Sequence, residues 1–194
     1  MKFALKILFW QPKTNFYQYF ASSAKGKVLL VCSNYITWIF LIYPSYLLVK
    51  TDPNTFWILL SATLIGEIVE KIMKLKNYWK RPAFLVDTDI PNGLIKSWYL
   101  TGSFPSGHTI KAMFFLLLLI QYHQLFPLFL AVIIPLLIFR VIIGFHYPID
   151  ILGGVIIGAI VWAIASQIQM PIYINQMIYN IFSFVFYYPL KIGI

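Results

Sequence analysis

Three short stretches hold the residues capable of chemistry: Lys74 with Arg81-Pro82, the run Pro105-Ser106-Gly107-His108, and Arg140 with His146 and Asp150. Pro105, followed by Ser106 and Gly107 and then by the apolar residues from Ala112 to Ile120, reads as a helix N-terminus. The first amides of a helix have no intrahelical acceptor and the dipole adds partial positive charge, so such a start attracts an anion. Lys74, Arg81 and Arg140 can add the cations that hold a phosphate and stabilise the charge on its equatorial oxygens in a transition state. In-line attack needs a neutral imidazole. Asp150, four residues beyond His146, can accept a proton from one ring nitrogen and leave the other as the nucleophile. His108 can give a proton to the leaving oxygen and later activate water. These residue types point to phosphoryl transfer through a histidine, and they call for no metal and no other cofactor.

Such residues act together only if distant segments meet, and the composition indicates how they do. The chain has 194 residues, 60% of them hydrophobic and 11% charged, with a mean hydropathy of +0.79, which does not describe a soluble domain. The sequence predicts an all-α integral membrane bundle, one domain over residues 1–194 with its motif-bearing core at 55–168. Five apolar runs, at 28–49, 55–73, 106–122, 125–144 and 148–168, approach the roughly 20 residues that a span needs. Residues 171–190 are long enough for a sixth, but Gln176, Asn180 and the aromatics suit an interfacial helix equally well. Residues 1–27 offer neither an uninterrupted apolar region nor a small-residue cleavage site, so they read as an amphipathic interfacial segment. The net charge of +9 flanks these apolar runs, which favours the lipid bilayer over nucleic acid as the acidic partner. Cys32 is the single cysteine and lies in an apolar run, so it supports neither a disulfide nor a thiol metal site.

Several polar residues have plainer readings. Glu67 with Lys71 and Glu70 with Lys74 stand four apart in the favourable acid-first order and are expected to pair along one helix. Asp87 and Asp89, two carboxylates without further ligands nearby, read as turn residues of a loop over 77–103. Trp98 and Tyr99 suit a membrane interface, and His123 reads as a solvated turn residue. Gly153, Gly154 and Gly158 allow a neighbouring helix to come close.

Successive spans alternate in direction, so the end of the second, the start of the third, the end of the fourth and the start of the fifth share one membrane face. Those four places carry the three stretches named above. At this point the sequence resembles the type 2 phosphatidic acid phosphatase (PAP2) family, whose motifs are Lys-x6-Arg-Pro, Pro-Ser-Gly-His and Ser-Arg-x5-His-x3-Asp. All three occur here in order and with the right spacing, except that Phe139 stands where the family has a serine. The resemblance implies His146 as nucleophile, Asp150 as its orienting partner and His108 as general acid. It also implies Lys74, Arg81, Ser106, Gly107 and Arg140 as phosphate ligands. The implied substrate is a membrane lipid phosphate, in the small bacterial members undecaprenyl diphosphate. Phosphatidylglycerophosphate, phosphatidic acid, lipid A, transfer of the phosphoryl group to another lipid, and non-catalytic lipid carriage are the alternatives.

The resemblance places the chain in a bacterial cytoplasmic membrane with its site on the extracytoplasmic side. Lysine placement argues the other way, because Lys2, Lys6, Lys13, Lys25, Lys27, Lys71, Lys76 and Lys80 fall on the active-site face and the opposite turn offers Lys50. Those lysines can instead gather an anionic substrate, which keeps the extracytoplasmic reading in front. If charge stabilisation rests on three cations and helix amides, turnover should survive excess EDTA and be inhibited by vanadate, a mimic of five-coordinate phosphorus. Phosphate release in the presence of each reagent checks this.

Overall fold

The computed structural model describes residues 2–12, 16–85, 100–120, 126–169 and 171–187. Asp87, Asp89, Trp98, Tyr99 and His123 lie outside the described residues. The described chain is helical and contains no strand: α1 (Lys2–Leu8), α2 (Phe16–Ser22), α3 (Ala24–Thr51), α4 (Pro53–Leu75), a 3₁₀ turn (Pro82–Phe84), α5 (Gly107–Leu119), α6 (Phe126–Ile142), α7 (Pro148–Ala165) and α8 (Ile172–Tyr187).

Local chemistry sets the boundaries. Ser23 caps α3 by accepting the amide of Gly26 at 3.0 Å. Asp52 alone separates α3 from α4. Its Oδ1 accepts the Thr55 amide at 3.0 Å, its Oδ2 accepts the Thr55 hydroxyl at 2.6 Å, and Pro53 opens the next helix, so the chain reverses in one residue. The hairpin expected from the sequence is therefore present, with helices two or more residues longer at each end than the apolar runs suggested.

The centre of the bundle is apolar. Leu59, Ala62, Ile110, Phe114, Phe115 and Val161 are buried together, and α5 makes its most extensive contact with α7. Glycine permits that contact. A β-carbon at Gly154 would stand 2.8 Å from the Ser106 carbonyl oxygen, and one at Gly158 would stand 2.9 Å from the Ile110 carbonyl oxygen. Gly154 thereby brings the start of α5 against the first turns of α7, where the histidine motif ends.

The outer faces are apolar too. Leu64, Ile68 and Ile72 on α4, Ile134 and Ile138 on α6, and Leu152, Ile156, Ile160 and Ile164 on α7 repeat at four-residue spacing, and each is about half exposed. Among the described residues one helix, α7, is both long and apolar enough to cross a membrane; α5 and the 129–142 part of α6 are apolar but shorter. Of the five expected spans, α7 meets both measures, while the carboxylates of α4 dilute its hydropathy and α5 spans 13 residues.

The N-terminal segment is helical, and α1 and α2 pack on the end of the bundle. Tyr17 is buried against Phe84 and Phe145, and the ring of Phe9 meets Trp79 and Tyr147 with centroids 5.2 and 5.4 Å away. Replacing Gly158 by leucine should overpack the α5–α7 contact and cost about 1–3 kcal/mol. Thermal unfolding in detergent should show a lowered midpoint for Gly158→Leu and little change for Ile160→Leu on the exposed face.

Candidate active site

Asp150, three residues into α7, is fully buried, and both carboxylate oxygens are engaged. Oδ2 accepts the amide of Tyr147 at 2.8 Å, which fixes the helix start, and Oδ1 accepts the indole N–H of Trp79 at 3.0 Å. Its main-chain carbonyl accepts the amide of Ser106 at 3.1 Å. One residue thus joins the first motif, through Trp79, to the second and third. His146 Nδ1 stands 3.4 Å from Asp150 Oδ2, long for a hydrogen bond, and makes none. Contacts of this kind shorten when the imidazole gains charge.

The turn before α7 is built by backbone bonds. The Arg140 carbonyl accepts the amides of Phe145 and His146 at 3.0 and 3.3 Å. Gly144 takes a φ of +77°, and its carbonyl accepts the Ala83 amide at 2.8 Å. A side chain at that position would be strained by conformation and by the Ala83 backbone. Arg81 Nη1 donates to the Phe145 carbonyl at 3.1 Å. Arg81 and Pro82 are therefore clamped against the turn that presents His146.

The sequence-selected residues fall into one cluster. Lys74, at the end of α4, pairs with Glu70. Arg81 is buried, and burial pushes its guanidinium down to about 10, which leaves it charged at neutral pH. Arg140 is buried over the ring of Phe145, 5.0 Å from the centroid, and its Nε has no hydrogen-bond partner. Ser106 precedes α5 without capping it, and its buried hydroxyl is also unpartnered. Gly107 is the first residue of α5, and His108 follows it. Burial, then the charges of Arg81, Arg140 and Lys74, pushes the His146 imidazole well below its ordinary range, so it is neutral at pH 7.

Three partners were not legible in the spacing. Asn34, inside α3, offers its backbone carbonyl to His108 Nε2 at 3.0 Å and its side-chain oxygen to Arg140 Nη1 at 3.5 Å. Lys111 is buried one turn beyond His108 and pairs with Glu67, so Glu67 is not matched with exposed Lys71 as expected. A lysine in an apolar run opposite two carboxylates was the available signal. Trp79 gave none. Phe139 stands edge-on to Phe20 of α2 with centroids 5.6 Å apart and thereby helps to seat that N-terminal helix.

The sequence model of the PAP2 superfamily matches residues 55–173, which include all three motifs and exclude α1 to α3. Two strains of Mycobacterium tuberculosis each provide a similar curated protein, decaprenylphosphoryl-5-phosphoribose phosphatase, 34% identical over 107 residues. The match covers 55% of each chain, so it spans about half the length of these relatives. No solved structure matches the chain.

The bond from Trp79 to Asp150 generates a test. Trp79→Phe keeps the ring against Phe9 and Phe104 but removes the donor. Loss of one hydrogen bond to a carboxylate should lower kcat about tenfold with KM little changed. An Asp150 with one donor fewer takes up a proton more readily, so the acid limb of the pH–rate profile should move to higher pH. Steady-state kinetics across pH read both effects.

Proposed function

The chain belongs to the PAP2 superfamily, its model matching residues 55–173, and from that premise we propose that it is a membrane lipid phosphatase working through a phosphohistidine at His146. The observation that supports this most is the meeting of Lys74, Arg81, Arg140 and the uncapped start of α5 around a buried neutral imidazole that faces a carboxylate. A phosphate seated between them would have its negative charge met by the cations and by the α5 amides. His146 Nε2 attacks phosphorus while Nδ1 keeps its hydrogen toward Asp150, and the phosphoimidazolium is stabilised by that carboxylate. His108, with its Nε2 hydrogen on the Asn34 carbonyl, takes up a proton as the anionic substrate enters, supplies a proton to the departing lipid oxygen and becomes neutral. It then takes a proton from the water that attacks phosphohistidine, and phosphate leaves with both histidines restored.

Two further observations support a lipid as the leaving group. The exposed isoleucine faces of α4, α6 and α7 favour a bilayer around the bundle, with five spans and α8 at or across the interface. An apolar groove of about 440 Å³, lined by Leu137, Val141, Pro148 and Ile151 with Trp10 above, runs beside the histidine turn. Its residues alternate along the chain with Arg140, His146 and Asp150, so a hydrocarbon chain lying there would start near the phosphate seat.

For the substrate we propose a polyprenyl-linked phosphate, with undecaprenyl diphosphate first. The M. tuberculosis relatives, named for a decaprenylphosphoryl sugar phosphate, favour that class over a glycerophospholipid. We place the site on the extracytoplasmic side of a bacterial cytoplasmic membrane. The lysines around the site give phosphatidylglycerophosphate, on the cytoplasmic side, as the second reading.

Purified full-length protein in non-ionic detergent should release phosphate from polyprenyl diphosphate faster than from phosphatidylglycerophosphate or phosphatidic acid. His146→Ala should lose about 10³-fold or more in kcat, and rapid quenching with labelled substrate should trap an acid-labile, base-stable phosphoprotein in wild type but not in this variant. Asp150→Asn and His108→Ala should also be severely impaired, with His123→Ala close to wild type. Well-folded His146→Ala protein with most of its turnover would refute the assignment.

A further inference from the structure

Glu70 is a buried carboxylate to which the chemistry above assigns no part. It pairs with Lys74 one turn along α4, and its other oxygen stands 3.6 Å from Lys111 Nζ on α5. Lys111 is in turn held by Glu67. The carboxylate also lies directly on Gly107, so that any β-carbon at that position would overlap it. Gly107 opens α5, beside the unpartnered hydroxyl of Ser106. A carboxylate of the protein therefore stands at the end of α5 to which a phosphate would come, and it holds a lysine that the phosphate needs.

Two anions cannot both engage Lys74 at that seat without strong repulsion, since the pair is largely buried and screening there is weak. A buried carboxylate must also keep a cationic partner at every stage. Lys111 meets that requirement. It lies near the second oxygen of Glu70 and is anchored by Glu67, so Glu70 can give up Lys74 and remain paired.

We propose that Glu70 is a positioning residue that acts through Lys74 and sets the rate of phosphate release. In the free enzyme it holds Lys74. Incoming phosphate draws Lys74 away and Glu70 turns to Lys111; after hydrolysis Glu70 reclaims Lys74 and product phosphate leaves. A carboxylate serving only to orient Lys74 would strengthen phosphate binding. One that competes for the lysine weakens it, and the overlap with Gly107 supports competition. This proposal rests on the phosphatase reading of the same site.

The test is Glu70→Gln in the purified full-length protein, with inorganic phosphate as the probe. Product inhibition should tighten about tenfold, and kcat and KM should fall together because release becomes slower. Unchanged or weaker inhibition by phosphate overturns the proposal, as does a variant that only lowers the unfolding midpoint. Should Glu70→Gln fail to fold, Glu70→Asp keeps the charge but draws it back from Lys74. It should tighten phosphate about threefold, and no tightening again overturns the proposal. Failure of the phosphatase reading shows separately, as wild-type protein that releases no phosphate from any lipid phosphate. Calorimetric titration of phosphate into wild type and variant still measures the effect of Glu70 in that case.

Discussion

The site depends on how the carboxylate and carbonyl of Asp150 are used. Two segments distant in sequence reach this one residue, Trp79 from the stretch after α4 and Ser106 from the start of α5, and Tyr147 joins them from the turn it caps. A fully buried carboxylate without donors would be costly, so these bonds are obligatory once α7 packs against α5. That packing is permitted by Gly154 and Gly158, where side chains would meet backbone carbonyls of the facing segment. Glycine in α7 and the capping carboxylate thus belong to one arrangement. The glycines set the distance, and Asp150 fastens the motifs across it.

Charge imposes the second constraint. Lys74, Arg81, Lys111 and Arg140 face Glu67, Glu70 and Asp150, so the described cluster carries an excess of one positive charge before any substrate arrives. Cations buried so close together would repel one another without the carboxylates, and phosphate could scarcely leave. Lys74 and Lys111 are paired with carboxylates, and the two arginines bring the remaining positive charge of the cluster. Arg81 gives one N–H bond to the Phe145 carbonyl, and the Nε of Arg140 is unpartnered. A planar guanidinium has further donors in a fixed fork, which suits an oxygen-rich ligand better than the single point charge of an ammonium group.

Much of this was legible in the sequence. Pro105-Ser106-Gly107 announced the helix start, and the order and spacing of Lys74, Arg81, Arg140, His146 and Asp150 a cluster at one end of the bundle. Each of those signals is local: a helix start, or residues one or two helical turns apart. The partners that escaped notice are joined only by tertiary approach. Trp79 and Asp150 are 71 residues apart, and Asn34 and His108 are 74 apart. Glu67 illustrates the same limit, because the i,i+4 rule offered Lys71 while the buried Lys111 of another helix had the greater need of a counter-ion. Residues 1–27 were read as interfacial from alternating lysines and aromatics, a pattern equally compatible with packing Tyr17 into an aromatic pocket.

The tie between Asn34 and His108 bears on how a lipid would have to lie in the proposed reaction. A carbonyl oxygen only accepts, so Nε2 of His108 carries the hydrogen, and that hydrogen points toward α3. A leaving oxygen receiving this proton must take the place of the Asn34 carbonyl or come close beside it. Attack from His146 sets the opposite end of the in-line axis, on the side of α7. The phosphorus then lies between α7 and α3, with Arg140 near enough to Asn34 to reach it from the α6 side. Helix α3 precedes the region that the superfamily model covers, yet it supplies this boundary of the site. In the proposed reaction the motifs would place the two histidines, while the side of the phosphate that faces the lipid would be shaped by a helix outside the region that the superfamily model covers.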